Sequence, residues 1–242
     1  MLSNALTLSQ RLIVAMDFDP DKGDTVAKIL GLCRLLAPAG VIIKINVELR
    51  HEECKDLVSI YKEECGLPLF MDLKLCDIEA TLIRDAKFLK CHPPAILTVM
   101  AGVSSGAIKS LKALLPETVV LGVTVLTDIS PDDAMAMYGG DIATQVMRFA
   151  KHAVKAGVDG LVCSPLEAAG LRAVFPDIEL VTPGVRDPDE PVAGDDQKRV
   201  ATLDGAFAAG ATRIVLGRPI VEKPDPYAAA MRFRERIASL AR

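Results

Sequence analysis

The sequence predicts an α/β fold, a (β/α)8 TIM barrel formed as one domain over residues 1–242, and three observations carry that prediction. Short apolar, β-rich runs alternate with amphipathic helical patterns from one end to the other, the sign of parallel strands joined by crossover helices. The alternation occurs eight times in 242 residues, the size and repeat number of a closed eight-stranded barrel. No linker or shift in composition interrupts it. Counting alone leaves an open doubly wound sheet of similar length as the alternative.

In chain order the strands are RLIVAMD (11–17), VIIKIN (41–46), LPLFMDLK (67–74), AILTVMA (95–101), VVLGVTVL (119–126), GLVCS (160–164), IELVTPG (178–184) and RIVLGRP (213–219). Each is bounded by turn residues and followed by a helical stretch. DTVAKILGLCRLLA has Asp24 placed to cap its start, and KRVATLDGAFAAG has Gly210 placed to end it. The longest irregular pieces are TDISPDDAMAMYGGD after strand five and RDPDEPVAGDDQ after strand seven. Long polar loops in such places are often lids or binding loops. In either fold a ligand sits at the carboxyl ends of the strands.

Composition narrows the function classes. The chain is 50% hydrophobic and 25% charged, enough for a sizeable core. Its apolar runs stop well short of the ~20 residues a membrane-spanning helix needs, so no membrane span is expected. The opening MLSNALTLSQRLIVAMD has no basic n-region ahead of its apolar run, so no signal peptide is expected and the expected compartment is the cytoplasm. A net charge of −4 and the absence of Trp argue against a nucleic-acid surface. Cys33, Cys54, Cys65, Cys76, Cys91 and Cys163 include no CxxC pair, sit mostly in apolar contexts and read as reduced core residues rather than disulfides or zinc ligands. His51, His92 and His152 lie in separate segments without ligand spacing. A small-molecule partner fits best.

Charges gather where the fold would place a ligand. Asp17, Lys44, Asp72 and Lys74 stand at or near the carboxyl ends of the first three strands. Asp72 and Lys74 are two apart, so on a regular strand they share a face, with Leu69, Met71, Leu73 and Leu75 on the other under the helices. A lone inward charge is costly, whereas acids and lysines placed together offset one another. The plainer alternative is an ion-pair network that only fills the barrel mouth. At the other end of the chain VTPGV closes strand seven and VLGRPI closes strand eight. There Gly217 can let backbone N–H groups approach an anion and Arg218 adds a fork of donors, the makings of a phosphate site.

Nearly the whole chain resembles the orotidine 5′-phosphate decarboxylase family in its shorter microbial form. The resemblance rests on AMDFD at strand one, IIKIN at strand two, DLKLCDIEAT as the family's DxKxxDI-xx-T pattern, LTDIS after strand five, TPGVR at strand seven and LGRPI at strand eight. It implies a catalytic tetrad of Lys44, Asp72, Lys74 and Asp77, with Lys74 giving the proton to carbon 6 of the pyrimidine. Asp17 and Lys44 would hold ribose hydroxyls, and Asp77 with Ile78 and Thr81 would reach the partner's site across a homodimer interface. Ser130 would contact the pyrimidine edge and Pro183 would line the base pocket. Gln197, Gly217 and Arg218 would take the phosphate. The resemblance implies neither metal nor organic cofactor.

The chemistry fits these residue types. Loss of CO2 from orotidine 5′-phosphate leaves charge on a ring carbon without an adjacent carbonyl sink, so the protein must stabilise a carbanion-like state electrostatically. A lysine held between aspartates stays protonated and can both stabilise and quench that charge. Asp72 beside the departing carboxylate would disfavour the ground state, and a gripped phosphate supplies binding energy to hold loops shut, with RDPDEPVAGDDQ the candidate closing loop. One rival is a Mg2+-dependent sugar-phosphate sister barrel of the hexulose-phosphate synthase type. Such enzymes place a glutamate ligand on strand two, where the ammonium of Lys44 would repel a divalent cation. The other rival is a catalytically silent nucleotide-binding barrel, which would have no chemical need for the tetrad.

Overall fold

Runs of three to seven mostly aliphatic residues line up as the staves of a closed barrel. The computed structural model describes residues 8–19, 21, 23–46, 57–186 and 201–240. In chain order the elements are β1 (Leu12–Ala15), α1 (Thr25–Leu36), β2 (Ile42–Ile45), α2 (Leu57–Glu64), β3 (Leu69–Leu75), α3 (Glu79–Leu89), β4 (Ile96–Met100) and α4 (Ser105–Leu114). They continue as β5 (Val119–Val123), α5 (Pro131–Tyr138), α6 (Ile142–Ala156), β6 (Gly160–Val162), α7 (Pro165–Val174), β7 (Glu179–Thr182), β8 (Val185–Arg186) and β9 (Ala201–Thr202). The chain closes with α8 (Leu203–Ala208), β10 (Arg213–Leu216), α9 (Arg218–Val221) and α10 (Pro226–Leu240).

The barrel runs β1-β10-β7-β6-β5-β4-β3-β2 and closes on itself with every pair parallel. All eight expected strands form it, and closure removes the open-sheet alternative. Because side chains alternate, each strand contributes to two cores. Ile13, Ala15, Ile42, Phe70, Ile96, Leu121, Val181 and Val215 pack together inside the barrel. The other parity, including Leu12, Val14, Ile43, Leu69, Met71 and Leu97, packs outward under the helices.

Local signals set the helix ends as expected from sequence. Asp24 caps α1 by accepting from the Ala27 N–H at 2.9 Å. Gly210, at φ 98°, follows α8 in a backbone conformation that a side chain resists.

The segment after β5 is a correction. TDISPDDAMAMYGGD is not irregular throughout, because Pro131–Tyr138 folds as α5. Ser130 and Asp133 form a reciprocal capping box, Pro131 opens the first turn and Gly139 ends the helix in the left-handed conformation. The pair β8 and β9 is an addition, a two-stranded sheet apart from the barrel. Residues 187–200, which hold most of RDPDEPVAGDDQ, lie outside the described residues, as does Cys54.

Of the remaining cysteines, Cys33, Cys65 and Cys163 are buried, as a core reading requires, whereas Cys76 and Cys91 correct it: they lie in the segments that follow β3 and α3 and are exposed. Among the described residues no helix is long and apolar enough to cross a membrane.

Candidate active site

Following the inward parity up each strand leads from the apolar interior to the barrel mouth. Two residues beyond Ile42 stands Lys44, two beyond Phe70 stands Asp72, two beyond Ile96 stands Thr98, and two beyond Ala15 stands Asp17. On the far side the same step leads from Val181 to Pro183 and from Val215 to Gly217. The interior is therefore apolar in its middle and polar at its carboxyl end, where a cavity of about 830 Å3 opens. That volume suits a small ligand.

The charges form a chain of alternating sign. Lys44 Nζ donates to both carboxylate oxygens of Asp17, at 2.8 and 3.1 Å, and lies 3.4 Å from Asp72 Oδ2. Lys74 Nζ donates to the same Asp72 Oδ2 at 2.7 Å. The other oxygen, Asp72 Oδ1, accepts from the Thr98 hydroxyl at 2.8 Å. Asp72 is thus a buried carboxylate with every side engaged. Burial alone would push its pKa up, but Lys44, Lys74 and the hydrogen bonds from Lys74 and Thr98 outweigh burial and hold it below the usual aspartate value. Burial would likewise push Lys44 down, and the carboxylates of Asp17 and Asp72 outweigh it and raise its pKa. Both groups are firmly charged at neutral pH.

Lys74 reaches this position by an unexpected route. Between Met71 and Leu75 the register of β3 against β4 shifts, from Met71 opposite Leu97 to Leu75 opposite Val99. Within that bulge Lys74 has φ 47°, the only non-glycine residue described with positive φ. A left-handed residue with a side chain costs roughly 1–3 kcal/mol and is found mainly where function holds it. Its N–H has left the strand ladder and donates to Thr98 Oγ1 at 2.9 Å. The two-residue spacing therefore correctly brings Lys74 and Asp72 together, but by a bulge and not by regular alternation.

Seven of the residues anticipated from sequence line the cavity: Asp17, Lys44, Asp72, Lys74, Pro183, Gly217 and Arg218. Four others lie outside its wall. Ser130 is occupied as the cap of α5, accepting from the Asp133 N–H at 3.1 Å. Asp77 is exposed and accepts from the Ile78 N–H at 2.6 Å. Ile78 is 70% exposed at the start of α3, and the Thr81 hydroxyl accepts from Arg84 at 3.1 Å. Gln197 falls outside the described residues.

Sequence reasoning passed over other members of the wall. Lys28 enters from the first turns of α1, Asn46 follows β2, Thr127 follows β5 and Glu222 follows α9. Thr98 carried a legible signal, a hydroxyl at an inward position in the apolar run AILTVMA.

Comparison with known proteins agrees with this geometry. The sequence model of the Orotidine 5'-phosphate decarboxylase / HUMPS family matches residues 10–233. An orotidine 5'-phosphate decarboxylase of Thermobifida fusca (strain YX) is 42% identical over 198 residues, 81% of this chain and 84% of that protein. One of Anaeromyxobacter sp. (strain K) is 40% identical over 226 residues, 92% of this chain and 96% of that protein. The crystal structure of the orotidine 5'-phosphate decarboxylase from Lactobacillus acidophilus superposes with a TM-score of 0.76 at 33% identity, covering 96% of this chain and 98% of that one. With its barrel, its charged mouth and a match over most of its length, the chain belongs to the orotidine 5'-phosphate decarboxylase / HUMPS family.

Proposed function

We propose that this protein decarboxylates orotidine 5′-phosphate to uridine 5′-phosphate in pyrimidine biosynthesis, with Lys74 as the proton donor and without a metal. The observation that carries the reading is the Lys74 ammonium 2.7 Å from the buried Asp72 carboxylate, at the cavity end of the barrel. An ammonium so placed stabilises charge developing on a nearby carbon and then delivers its proton there. Asp72 keeps that ammonium in line and sets a negative charge beside the substrate carboxylate that must leave. Asp17 and Lys44 supply acceptor and donor for sugar hydroxyls. Val123, Val162, Val181 and Pro183 give the base an apolar wall, and Gly217 with Arg218 receives the phosphate, assisted by Gln197. Ser130 meets the pyrimidine edge in this reading, which requires its hydroxyl to leave the capping box or share it.

The Lys44 ammonium also separates this chain from a Mg2+-dependent sister activity, since a buried cation on β2 repels a divalent ion. Loss of orotidine 5′-phosphate absorbance, followed with and without EDTA, tests the reading. Decay unaffected by EDTA is expected. No decay under either condition sinks the decarboxylase reading, and decay abolished by EDTA replaces it with a metal-dependent one. Lys74→Ala should lower kcat by about 1,000-fold or more with the fold retained. Retention of most activity removes Lys74 from the proton-donor role.

The reading includes a homodimer with shared sites. Asp77 and Ile78 stand exposed beside the motif that supplies Asp72 and Lys74, and Ile78 presents its apolar side chain to solvent. Their exposure supports a contribution by both to a second copy's cavity. Mixed Lys74→Ala and Asp77→Asn proteins, each inactive alone, should regain activity as subunits exchange. Failure to do so after exchange is demonstrated by mass shows that the sites are not shared.

A further inference from the structure

We infer that Thr98 is a positioning residue for the reaction, holding both the Asp72 carboxylate and the backbone of Lys74 through a single hydroxyl. This rests on the assignment of Lys74 and Asp72 as the reacting pair. Thr98 itself is fully buried and absent from the cavity wall, so it acts through its neighbours and not on substrate.

The hydroxyl has one donor and two acceptor sites, and both kinds are used on the catalytic strand. Its proton goes to Asp72 Oδ1 at 2.8 Å, and its oxygen accepts the Lys74 N–H at 2.9 Å. The donation fixes the rotation of the carboxylate. With Oδ1 held by Thr98, Oδ2 is turned toward Lys74 Nζ at 2.7 Å and Lys44 Nζ at 3.4 Å. The acceptance replaces the ladder bond that Lys74 lost when β3 bulged away from β4. It thereby anchors a lysine whose φ of 47° is otherwise disfavoured. Two constraints, one on each member of the pair, converge on one atom.

A purely structural threonine would be expected to satisfy its hydroxyl on its own strand or an adjacent carbonyl. Thr124, also fully buried, does so by donating to the Val162 carbonyl at 3.0 Å. Thr98 instead spends both of its bonds on residues 72 and 74. Valine has the same branched shape as threonine, and Thr98 stands opposite the apolar Leu121 of β5, so a β-branched hydrocarbon fits the site sterically.

The test compares Thr98→Val, which keeps the shape and removes the hydroxyl, with Thr98→Ser, which keeps the hydroxyl. The wild-type protein is assayed alongside, and failure of the wild type to decarboxylate orotidine 5′-phosphate defeats the underlying reading rather than this one. With an active wild type, Thr98→Val should lower kcat by about 10- to 100-fold, since small misplacement of reacting groups has effects of that size. KM should stay within about threefold, because the phosphate contacts lie elsewhere and Lys44 keeps both of its bonds to Asp17. Thr98→Ser should recover most of kcat. Unchanged kcat in Thr98→Val overturns the inference, and so does equal loss in Thr98→Ser. If circular dichroism shows Thr98→Val unfolded, Thr98→Cys decides: its weak S–H donor should give an intermediate kcat, and full activity overturns the proposal.

Discussion

Lys44 is the most constrained charge in the mouth, because it touches both acids of the network and has almost no solvent of its own. Its side chain is 8% exposed, against 54% for Asp17 and 12% for Asp72. Lys44→Met removes the ammonium and leaves a chain of similar length. Asp72 then keeps only Lys74 and Thr98, so the loss falls below the roughly 3–5 kcal/mol of a wholly broken buried pair, at about 2 kcal/mol by urea denaturation. The pH dependence has a definite sign. Asp72, with its folded pKa below the ordinary 3.8, contributes stability that is present above that value and lost as pH falls through the folded pKa. Lys44, with its folded pKa above 10.5, contributes stability fully present below that value and lost as pH rises through the folded pKa. The network therefore supports the fold across the whole neutral range. The stability difference between wild type and Lys44→Met should be flat from about pH 5 to 9 and shrink only beyond those limits. A difference that varies strongly within that interval refutes this account of the pair.

At the scale of the element, strands were legible because parallel strands buried on both faces are written as short continuous aliphatic runs bounded by turn residues, and the observed boundaries fall within a few residues of those expected. Caps were legible where the chemistry is local: Asp24 before α1 needs only its own oxygen and the Ala27 N–H. The SPDD start of α5 carried the same kind of signal, and it was masked by the surrounding Asp and Gly residues that otherwise mark a loop. What sequence could not disclose is long-range. The bulge at Lys74 depends on Thr98, which lies 24 residues away and across a strand pair. Nothing in DLKLC requires a left-handed lysine until β4 is beside it. Asp77 illustrates a different limit. The motif names it, yet among the described residues the bond its carboxylate accepts comes from its neighbour's N–H, and it stands outside the cavity, so the fold of one chain does not disclose its role. The candidate site was thus readable as a set of residue types on one face, and the bonds through which the Thr98 hydroxyl orders them were not.

Across the whole molecule the barrel carries buried charge at both ends, and the two ends obey opposite balances. At the floor, Glu179 opens β7 and Arg213 opens β10, both of inward parity with Val181 and Val215. They are nearly inaccessible and form an ion pair at 2.5 Å. Burial pushes the Glu179 carboxyl up despite Arg213, with Asp159 adding to the rise, and burial pulls the Arg213 guanidinium down despite Glu179. Desolvation outweighs attraction there, whereas in the mouth attraction outweighs desolvation for Lys44 and Asp72. Because Glu179 binds its proton more tightly folded than unfolded, its contribution to stability declines as pH rises above about 4.5. A pair of that kind is dispensable if both members leave together. Glu179→Gln alone strands the arginine charge and should cost about 3–5 kcal/mol. The double variant Glu179→Met with Arg213→Met should cost far less than the sum of its singles, and its kcat should match wild type because the floor does not touch the cavity. Denaturation curves of the singles and the double, read as a cycle, measure the coupling. Additive losses, or a double variant that folds but loses decarboxylation, would show that the floor pair reaches the chemistry after all.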